Sequence, residues 1–278
     1  MELRDRRALV TGAGRGIGRR IAMELAAGGA RLALLARTAA ELDSVAAELR
    51  AGGVEVCCCV ADVASPEQVQ DAVGRVLDAW GGVDVLVNNA GLQGPIGPMH
   101  TVPVAAWLQT LQVNLAGPYL CARLVIPAML LQRYGKIINL SGGGAVTPRA
   151  NFSAYGAAKA GLVRLTETLA TELAGTGIDV NAVAPGAVNT RMLTETLEAG
   201  DLAGPAAAAE AQRQAASGGT DPALAARLVL FLASPRSDGL SGRLLSAVWD
   251  RWGDLDISQV MATDWYTVRR VVPPHHGT

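Results

Sequence analysis

The sequence predicts an α/β fold: a doubly wound parallel sheet of about seven strands with helices on both faces. Apolar runs of strand length alternate with segments of helical period about six times along the chain. The runs are almost continuously hydrophobic, which is typical of parallel strands that are covered on both faces. Such an alternation requires right-handed crossovers between parallel strands. We therefore expect residues 1–278 to form a single domain.

The predicted strands end at a glycine or a polar residue. They are RALVTG, ARLALLA, VEVCCCVAD, VDVLVNNAG, KIINLS and IDVNAVAPG, with a seventh near GRLLSAVW. The predicted helices lie at about 16–29, 38–51, 66–80, 103–133, 153–175 and 221–233. Ser65 and Pro66 suit the start of the third helix, because serine caps well and proline is tolerated in the first turn. Pro118 and Pro127 predict that the fourth helix bends or breaks.

Two segments depart from this alternation. Residues 187–220 lack a strand pattern and include the alanine-rich run GPAAAAEAQRQAASGG, which favours a mobile lid. The tail, about 249–278, holds Trp249, Trp252 and Trp265. We expect these tryptophans to pack the tail onto the body or onto a partner subunit, and the last residues to be loose.

Composition argues against two classes of partner. The formal net charge is -1 and the pI is about 6.3, and no long basic run occurs, so nucleic acid is not an expected partner. The N-terminus is charged where a signal peptide would be apolar, and no run of about 18 uncharged apolar residues is present. We expect no membrane segment and a cytoplasmic location.

The cysteines and histidines do not predict a metal site. Three of the four cysteines are adjacent, at 57–59, a spacing that suits neither a metal nor a disulfide framework. They are interpreted as small apolar strand residues of a cytosolic protein. His100 and the pair His275-His276 are too few and too scattered to suggest metal ligands.

The first predicted strand runs into a glycine-rich turn, VTGAGRGIGRR, that opens the first helix. Gly12, Gly14, Gly16 and Gly18 allow a tight turn in which backbone amides approach a pyrophosphate, and the helix N-terminus adds partial positive charge. A glycine motif alone is weak evidence. Because the required strand and helix flank it here, it predicts a dinucleotide site.

The end of the second strand indicates which dinucleotide binds. An acidic residue there would accept hydrogen bonds from the adenosine ribose, whereas arginine accommodates a 2′-phosphate. This chain has Ala36-Arg37-Thr38 and no carboxylate at that point. Arg37 and Arg15 therefore predict NADP(H) in preference to NAD(H), although either arginine alone could be a solvated surface residue.

The stretch SAYGAAKAG carries Tyr155 and Lys159, four residues apart, so a helix would place both on one face. Lys159 is one of two lysines in a chain with 24 basic side chains. Its retention favours a site that needs a compact ammonium whose proton affinity can be tuned. The alternative is a tyrosine that covers the core and a lysine on a solvated face.

Together, six motifs resemble those of the short-chain dehydrogenase/reductase family, in its smaller single-domain branch with a Rossmann fold. The resemblance covers roughly residues 5–248. The motifs are TGAGRGIG, Asp62-Val63, NNAG at 88–91, Asn114, the Tyr155/Lys159 pair and Pro185-Gly186.

The resemblance implies a catalytic role for each member of the pair. Tyr155 would protonate the carbonyl oxygen during reduction, or accept the hydroxyl proton during oxidation. Lys159, with the positive nicotinamide ring, would lower the pKa of the phenol from its usual value near 10 and would hold the nicotinamide ribose. Asn114 would anchor a water that relays protons; alternatively, it closes a helix irregularity.

The resemblance also distributes the cofactor along the chain. The adenine would lie at Asp62-Val63, the adenosine ribose at NNAG, where Asn88 would brace the sheet edge, and the nicotinamide at 185–190. The residues expected at the cofactor are Gly12, Gly14, Arg15, Gly16, Ile17, Gly18, Arg37, Asp62, Val63, Asn89, Ala90, Gly91, Tyr155, Lys159, Pro185, Gly186, Val188 and Thr190.

One family residue is displaced in this chain. The family's serine commonly lies thirteen positions before the tyrosine, where this sequence has Gly142, and Ser141 is one residue early. Because three glycines follow Ser141, a shifted loop could bring its hydroxyl to the substrate carbonyl. Otherwise backbone amides of Gly142–Gly144, or a water, would polarise the carbonyl.

These expectations combine into an NADPH-preferring oxidoreductase that interconverts a ketone and a secondary alcohol. The substrate is expected to be small to medium and neutral to weakly polar, with Arg149 and Arg191 the only charges near it, and Met99, Met192 and Leu193 as candidate cleft residues. The alternatives are an epimerase that acts through a transient ketone and a non-catalytic NADP(H)-binding sensor or scaffold. The resemblance implies a homodimer or homotetramer through helices 103–133 and 153–175.

Overall fold

The computed structural model describes residues 2–271, and its centre is one seven-stranded sheet in which all neighbouring strands are parallel. The strand order is β3-β2-β1-β4-β5-β6-β7. This arrangement confirms the predicted doubly wound sheet. The strands are β1 Arg7–Thr11, β2 Arg31–Ala36, β3 Val56–Val60, β4 Val85–Asn88, β5 Gly135–Leu140, β6 Ile178–Ala184 and β7 Leu244–Ser246.

Helices cover both faces of the sheet. On one face α1, α2 and α9 bury a core with alternate residues of β1, β2 and β4, and on the other α3 and α5 bury a second core. The helices are α1 Gly16–Ala27, α2 Ala39–Ala51, α3 Pro66–Trp80, α4 Val104–Leu111, α5 Gly117–Gln132, α6 Ser153–Glu172, α7 Arg191–Glu198, α8 Pro205–Ser217, α9 Pro222–Ala233 and α10 Ile257–Met261.

The topology creates a crevice at one edge of the sheet. From β1 the chain winds outward to β2 and β3, and then returns to β4 on the other side of β1. Connections therefore leave β1 and β4 in opposite directions above the carboxyl ends of these strands. In open α/β sheets, ligands bind at such a switch point.

The helix predicted at 103–133 is interrupted by a π-helical segment, Gln112–Ala116, between α4 and α5. Pro118 has no amide hydrogen, so the carbonyl of Asn114 lacks the donor that a regular α-helix would supply. The predicted irregularity therefore occurs next to Pro118. At Pro127 the expectation of a break is wrong, because α5 continues to Gln132.

The stretch Val104–Gln132 is, by length and composition, the one helix in residues 2–271 that could cross a membrane, and 44% of its most apolar part is buried. It also contributes Cys121, Val125 and Met129 to the core beneath the sheet. Packing on the sheet therefore accounts for much of its apolar character. The absence of a membrane segment stays a prediction.

The segment predicted as a lid contains α7 and α8, neither of which the sequence pattern indicated. β7 is shorter than expected. The strand ends at Ser246, because the backbone amide of Ser246 donates a hydrogen bond to the Asp250 carboxylate at 2.6 Å and the chain turns away from the sheet there.

The described part of the tail packs along β7 and α6. The carbonyl of Tyr266 accepts a hydrogen bond from the Leu244 amide at 2.7 Å, which satisfies the outer edge of β7. The buried Glu167 of α6 accepts hydrogen bonds from the Val268 amide at 2.9 Å and from Arg269 at 3.1 Å. The tail is thus attached to the helix that carries Tyr155.

The three tail tryptophans behave differently. Trp252 lies against Phe231 of α9 with ring centroids 5.7 Å apart, as expected. Trp249 and Trp265 are exposed, so the expectation that they pack onto the body is wrong for these two, and packing onto a partner subunit stays a prediction. The expected loose C-terminal end and His275-His276 fall at 272–278, outside the described residues.

Candidate active site

A cleft of about 1200 Å³ opens at the carboxyl ends of the strands. It is lined by every residue that the sequence predicted at the cofactor, and also by Ser141. Of the predicted catalytic and cofactor residues, Asn114 alone is not among those that line the cleft within the described chain. The fold thus brings the dispersed motifs to one place.

The glycine turn leaves the N-terminus of α1 open. Arg15 precedes the helix, and no side chain in the described chain caps the helix start; nor does its first turn hold an acidic residue. Its first amides have no intrahelical acceptor and can therefore bind an anion. Gly12 and Gly16 have φ of 64° and 55°, which favours glycine. This cradle fits the pyrophosphate of a dinucleotide.

Thr11 fixes the glycine turn against the loop after β4. Its hydroxyl accepts hydrogen bonds from the amides of Asn89 and Ala90, each at 3.0 Å. The Asn89 side chain donates back to the carbonyls of Thr11 at 3.0 Å and Gly12 at 3.2 Å. Sequence reasoning missed Thr11, whose only signal was its place directly before the first glycine.

Asn88 connects neighbouring strands beneath the cleft. It is buried and donates to the side chain of Asn139 on β5 at 2.9 Å, and Asn139 in turn donates to Thr166 of α6 at 2.9 Å. This chain of hydrogen bonds fixes β4, β5 and α6 relative to one another.

The two arginines expected at the 2′-phosphate lie at the adenosine end of the cleft beside carboxylates. Arg37 is exposed, 3.7 Å from Asp62, whose carboxylate also accepts from the Ala64 amide at 2.9 Å. Arg15 donates to Glu41 at 2.8 Å. Sequence reasoning missed Glu41, because it considered the end of β2 and not the first turn of α2.

Tyr155 and Lys159 are buried side by side on α6, with exposed fractions of 7% and 4%. The Lys159 ammonium lies 5.7 Å from the centroid of the tyrosine ring and donates to the Leu140 carbonyl at 2.7 Å. Lys159 is therefore not on a solvated face, and that alternative is wrong.

Burial dominates the proton affinities of this pair. It raises the pKa of Tyr155 to about 12, and the positive charge of Arg149 opposes this rise. Burial lowers the pKa of Lys159 to about 8. Lys159 by itself therefore does not lower the pKa of the phenol; the expectation concerns Lys159 and the nicotinamide ring together. At neutral pH the phenol retains its proton, which is the form that a general acid requires.

Arg149 lies in the loop between β5 and α6, where its guanidinium stacks 3.7 Å from the centroid of the Phe152 ring. It lines the cleft, as do Arg191, Met192 and Leu193. Met99 does not; it is exposed outside the cleft, so its predicted place there is wrong.

Asn114 lies behind the cleft in the π-helical segment and is fully buried. Its side chain accepts from the Leu92 amide at 3.0 Å and donates to the Leu92 carbonyl at 2.8 Å. Asn114 therefore lies in the helix irregularity that the alternative named, but its side chain bonds the loop after β4 and not the helix itself. Its part in a proton relay stays a prediction.

Gly142 allows the phenol to approach the backbone. A Cβ at this position would lie 2.4 Å from the Tyr155 hydroxyl, so a serine could not stand there unless the ring moved. Beside it, the Ser141 hydroxyl is buried without a hydrogen-bond partner among residues 2–271. An unpaired buried hydroxyl is costly, and a ligand that accepts its hydrogen bond would remove this cost.

Replacing Ser141 with alanine tests whether this hydroxyl polarises the carbonyl. Because the hydroxyl has no partner in residues 2–271, alanine removes no intramolecular hydrogen bond and folding should be unaffected. We expect kcat for ketone reduction to fall about a hundredfold. Steady-state kinetics and thermal unfolding measure the two effects, with the exposed Ser217→Ala as control. A fall of less than about threefold would assign the role to the backbone amides of Gly142–Gly144.

The short chain dehydrogenase family model matches residues 6–200, well over half of the chain. The chain belongs to this family. It is an enzyme of the short-chain oxidoreductases, whose fold binds NAD or NADP.

No group of three or more histidine, cysteine or acidic side chains suited to a metal occurs in residues 2–271.

Several curated relatives are reductases or dehydrogenases. A 3-oxoacyl-[acyl-carrier-protein] reductase of Synechocystis sp. is 40% identical over 193 residues, 69% of this chain and 77% of that protein. A putative ketoacyl reductase of the granaticin polyketide synthase of Streptomyces violaceoruber is 42% identical over 69% and 71%. Cis-4-hydroxycyclohexanecarboxylate dehydrogenase of Sinomonas cyclohexanicum is 36% identical over 87% and 94%.

Solved structures that share this fold include one with NAD+ and one with NADPH. Xylitol dehydrogenase with NAD+ superposes with a TM-score of 0.83 at 31% identity, over 88% of this chain and 98% of that one. A variant of actinorhodin polyketide ketoreductase with NADPH gives a TM-score of 0.81 at 33% identity, over 90% and 98%. Similarity of fold therefore does not decide between NAD and NADP.

Proposed function

We propose that this protein is an NADPH-preferring oxidoreductase that interconverts a ketone and a secondary alcohol by direct hydride transfer. The observation that carries the proposal is the place of the Tyr155 hydroxyl, which is buried against Gly142 in the same cleft as the open N-terminus of α1. Burial raises its pKa to about 12, which favours the protonated form at neutral pH. A proton donor and a dinucleotide cradle in one cleft are the two requirements of carbonyl reduction.

The bound nicotinamide would supply a hydride to the carbonyl carbon. Tyr155 donates its phenolic proton to the carbonyl oxygen, so that hydride and proton together give the alcohol. The Lys159 ammonium stabilises the phenolate that remains, and Ser141 donates a hydrogen bond to the carbonyl oxygen as negative charge develops there. Because the pKa of Lys159 is about 8, it can exchange a proton near neutral pH and so return Tyr155 to its acid form.

We propose a small to medium, neutral or weakly polar ketone as the substrate. The named activities of the relatives, two ketoacyl reductases and a hydroxycyclohexanecarboxylate dehydrogenase, support a carbonyl–alcohol pair. Screening wild-type enzyme against a panel of ketones and sugars, with NADPH oxidation and product formation both recorded, tests the proposal. Product inversion without net NADPH consumption would identify an epimerase. NADPH binding without conversion of any compound would identify a sensor or scaffold.

The preference for NADP(H) rests on Arg15 and Arg37, which line the adenosine end of the cleft, and on the absence of a carboxylate at the end of β2. A 2′-phosphate carries nearly two negative charges and would compete with Glu41 for Arg15. The Glu41 carboxylate lies beside Gly14, so its negative charge opposes the binding of a 2′-phosphate and thus the preference for NADP(H).

Replacing Arg37 with alanine is expected to weaken NADPH binding by about ten- to a hundredfold, because one charge-assisted contact to the phosphate is lost. NADH, which lacks the phosphate, should be affected less than about twofold. Dissociation constants for both cofactors measure the effect. Arg19→Ala, an exposed arginine paired with Glu48 outside the cleft, is the matched control. Equal losses for both cofactors would contradict the phosphate assignment.

We further propose a cytoplasmic homodimer or homotetramer. Exposed apolar side chains on α4 and α5 support an interface there, and they include Val104, Leu108, Tyr119, Leu130 and Leu131. The cysteines, all free in the described chain, suit a reducing compartment.

We also propose that α7 and α8, which line the cleft, move as a lid over the substrate.

A further inference from the structure

Trp249 lies at the rim of the cleft with 85% of its surface exposed. Tryptophan is the largest side chain and gains the most from burial, so an indole presented to water is unusual unless something covers it. Trp252, three residues later, is by contrast partly buried against Phe231.

The exposure of Trp249 does not come from a loose backbone. The Ser246 hydroxyl accepts hydrogen bonds from the amides of Val248 at 3.3 Å and Trp249 at 3.2 Å. Asp250 accepts from the Ser246 amide at 2.6 Å, and the Ala247 amide donates to β6 at 2.9 Å. The turn is thus attached on both sides of Trp249, and its backbone is held at the rim of the cleft.

The turn lies at the end of the cleft where the nicotinamide is expected. The Val248 side chain packs so closely on Gly186 that a Cβ there would lie 2.6 Å from it. On the loop that carries Ser141, Val146 is also largely exposed and lines the same cleft, as do Met192 and Leu193 of the lid. The cleft that holds Tyr155 is therefore lined by two exposed apolar side chains, Trp249 and Val146, and by the partly buried Met192 and Leu193.

We propose that Trp249 is a specificity-determining residue that stacks on a planar, aromatic or conjugated part of the ketone substrate. The inference rests on the proposed function, which it deepens. An exposed indole on a fixed backbone suits a flat π-surface, because offset stacking adds to the gain from apolar burial. The substrate is the occupant that the position favours, since the cofactor's expected contacts are supplied by the glycine turn, the loop after β4 and residues 185–190.

Two ketones of one skeleton test the proposal: β-tetralone, which has a fused aromatic ring, and the saturated β-decalone. Trp249→Ala should lower kcat/KM for β-tetralone about tenfold and for β-decalone less than about threefold. Trp249→Phe should keep most of the activity on β-tetralone. Trp265→Ala, an exposed tryptophan outside the cleft, should change neither. Equal losses on both ketones, or the same loss in Trp265→Ala, would overturn the proposal.

Tryptophan fluorescence separates this inference from the proposed function. Titration of the NADPH-free protein with β-tetralone should quench the wild type and Trp265→Phe, and the quenching should disappear in Trp249→Phe. If the wild type reduces neither ketone yet shows this pattern, the indole stacks on aromatic ligands and it is the reductase activity that fails. Quenching that persists in Trp249→Phe, or none in the wild type, would show that Trp249 does not bind the ring.

Discussion

Replacing Tyr155 with phenylalanine should slow ketone reduction by about a thousandfold or more, the contribution typical of a positioned general acid. The ring and its packing are kept, and only the hydroxyl beside Gly142 is lost. NADPH should bind with nearly wild-type affinity. Single-turnover NADPH oxidation and a fluorescence titration of cofactor binding measure the two quantities.

The pH dependence provides a control for this assignment. Because burial raises the pKa of Tyr155 to about 12, the phenol keeps its proton throughout the neutral range. Lys159, with its pKa lowered to about 8, loses its positive charge as pH rises above that value. Wild-type reduction should therefore decline as pH rises through about 8, and the residual rate of Tyr155→Phe should not. Retained turnover in Tyr155→Phe would remove Tyr155 from proton transfer.

Replacing Gly18 with alanine should abolish cofactor binding. The new Cβ would lie 2.1 Å from the Gly12 carbonyl oxygen and 2.4 Å from the Asn89 side-chain nitrogen, and backbone at such a distance must move. We expect affinity for NADPH and NADH to fall at least about a hundredfold, because the amides that hold the pyrophosphate lose their arrangement, and stability to fall by about 1–3 kcal/mol. Calorimetric titration and chemical unfolding provide the measurements.

Gly74→Ala is the matched control for Gly18→Ala. Gly74 lies within α3, and an added Cβ would have no neighbouring heavy atom of the described chain within 4 Å. Alanine there should raise stability by about 0.8 kcal/mol through helix propensity and leave cofactor binding unchanged. Wild-type cofactor affinity in Gly18→Ala would contradict the assigned path of the pyrophosphate.

Much of the fold could be predicted because strands of a doubly wound sheet are buried on both faces and therefore read as uninterrupted apolar runs. The predicted helices between them match the observed ones to within a few residues, as with Pro66–Trp80, where Ser65 caps the start at 3.3 Å. α8 was missed because its alanine-rich sequence has no strong apolar period, and α7 because its pattern extends over only the eight residues Arg191–Glu198. The irregularity next to Pro118 was predictable, but the contact between Asn114 and Leu92 was not, because these residues lie 22 positions apart in the chain.

The site was predictable where its chemistry lies within one motif. The glycine turn occupies a single strand-to-helix junction, and the Tyr155/Lys159 pair occupies one face of a helix. The influence of Arg149 on the phenol, and the position of Glu41 beside the glycine turn, depend on how separate segments approach one another. The burial that raises the pKa of Tyr155 depends on the same approach of segments, so the four-residue spacing between Tyr155 and Lys159 could not predict it.

The most direct test of the central claim is a crystal structure of the protein with NADP+ and a bound ketone or alcohol. We predict that the Tyr155 hydroxyl lies within about 3.2 Å of the substrate oxygen, with the reacting carbon against the nicotinamide ring. The Lys159 ammonium should lie beside the phenol and face the cofactor ribose. A Tyr155 hydroxyl that points away from the substrate oxygen, with no water between them, would contradict the account.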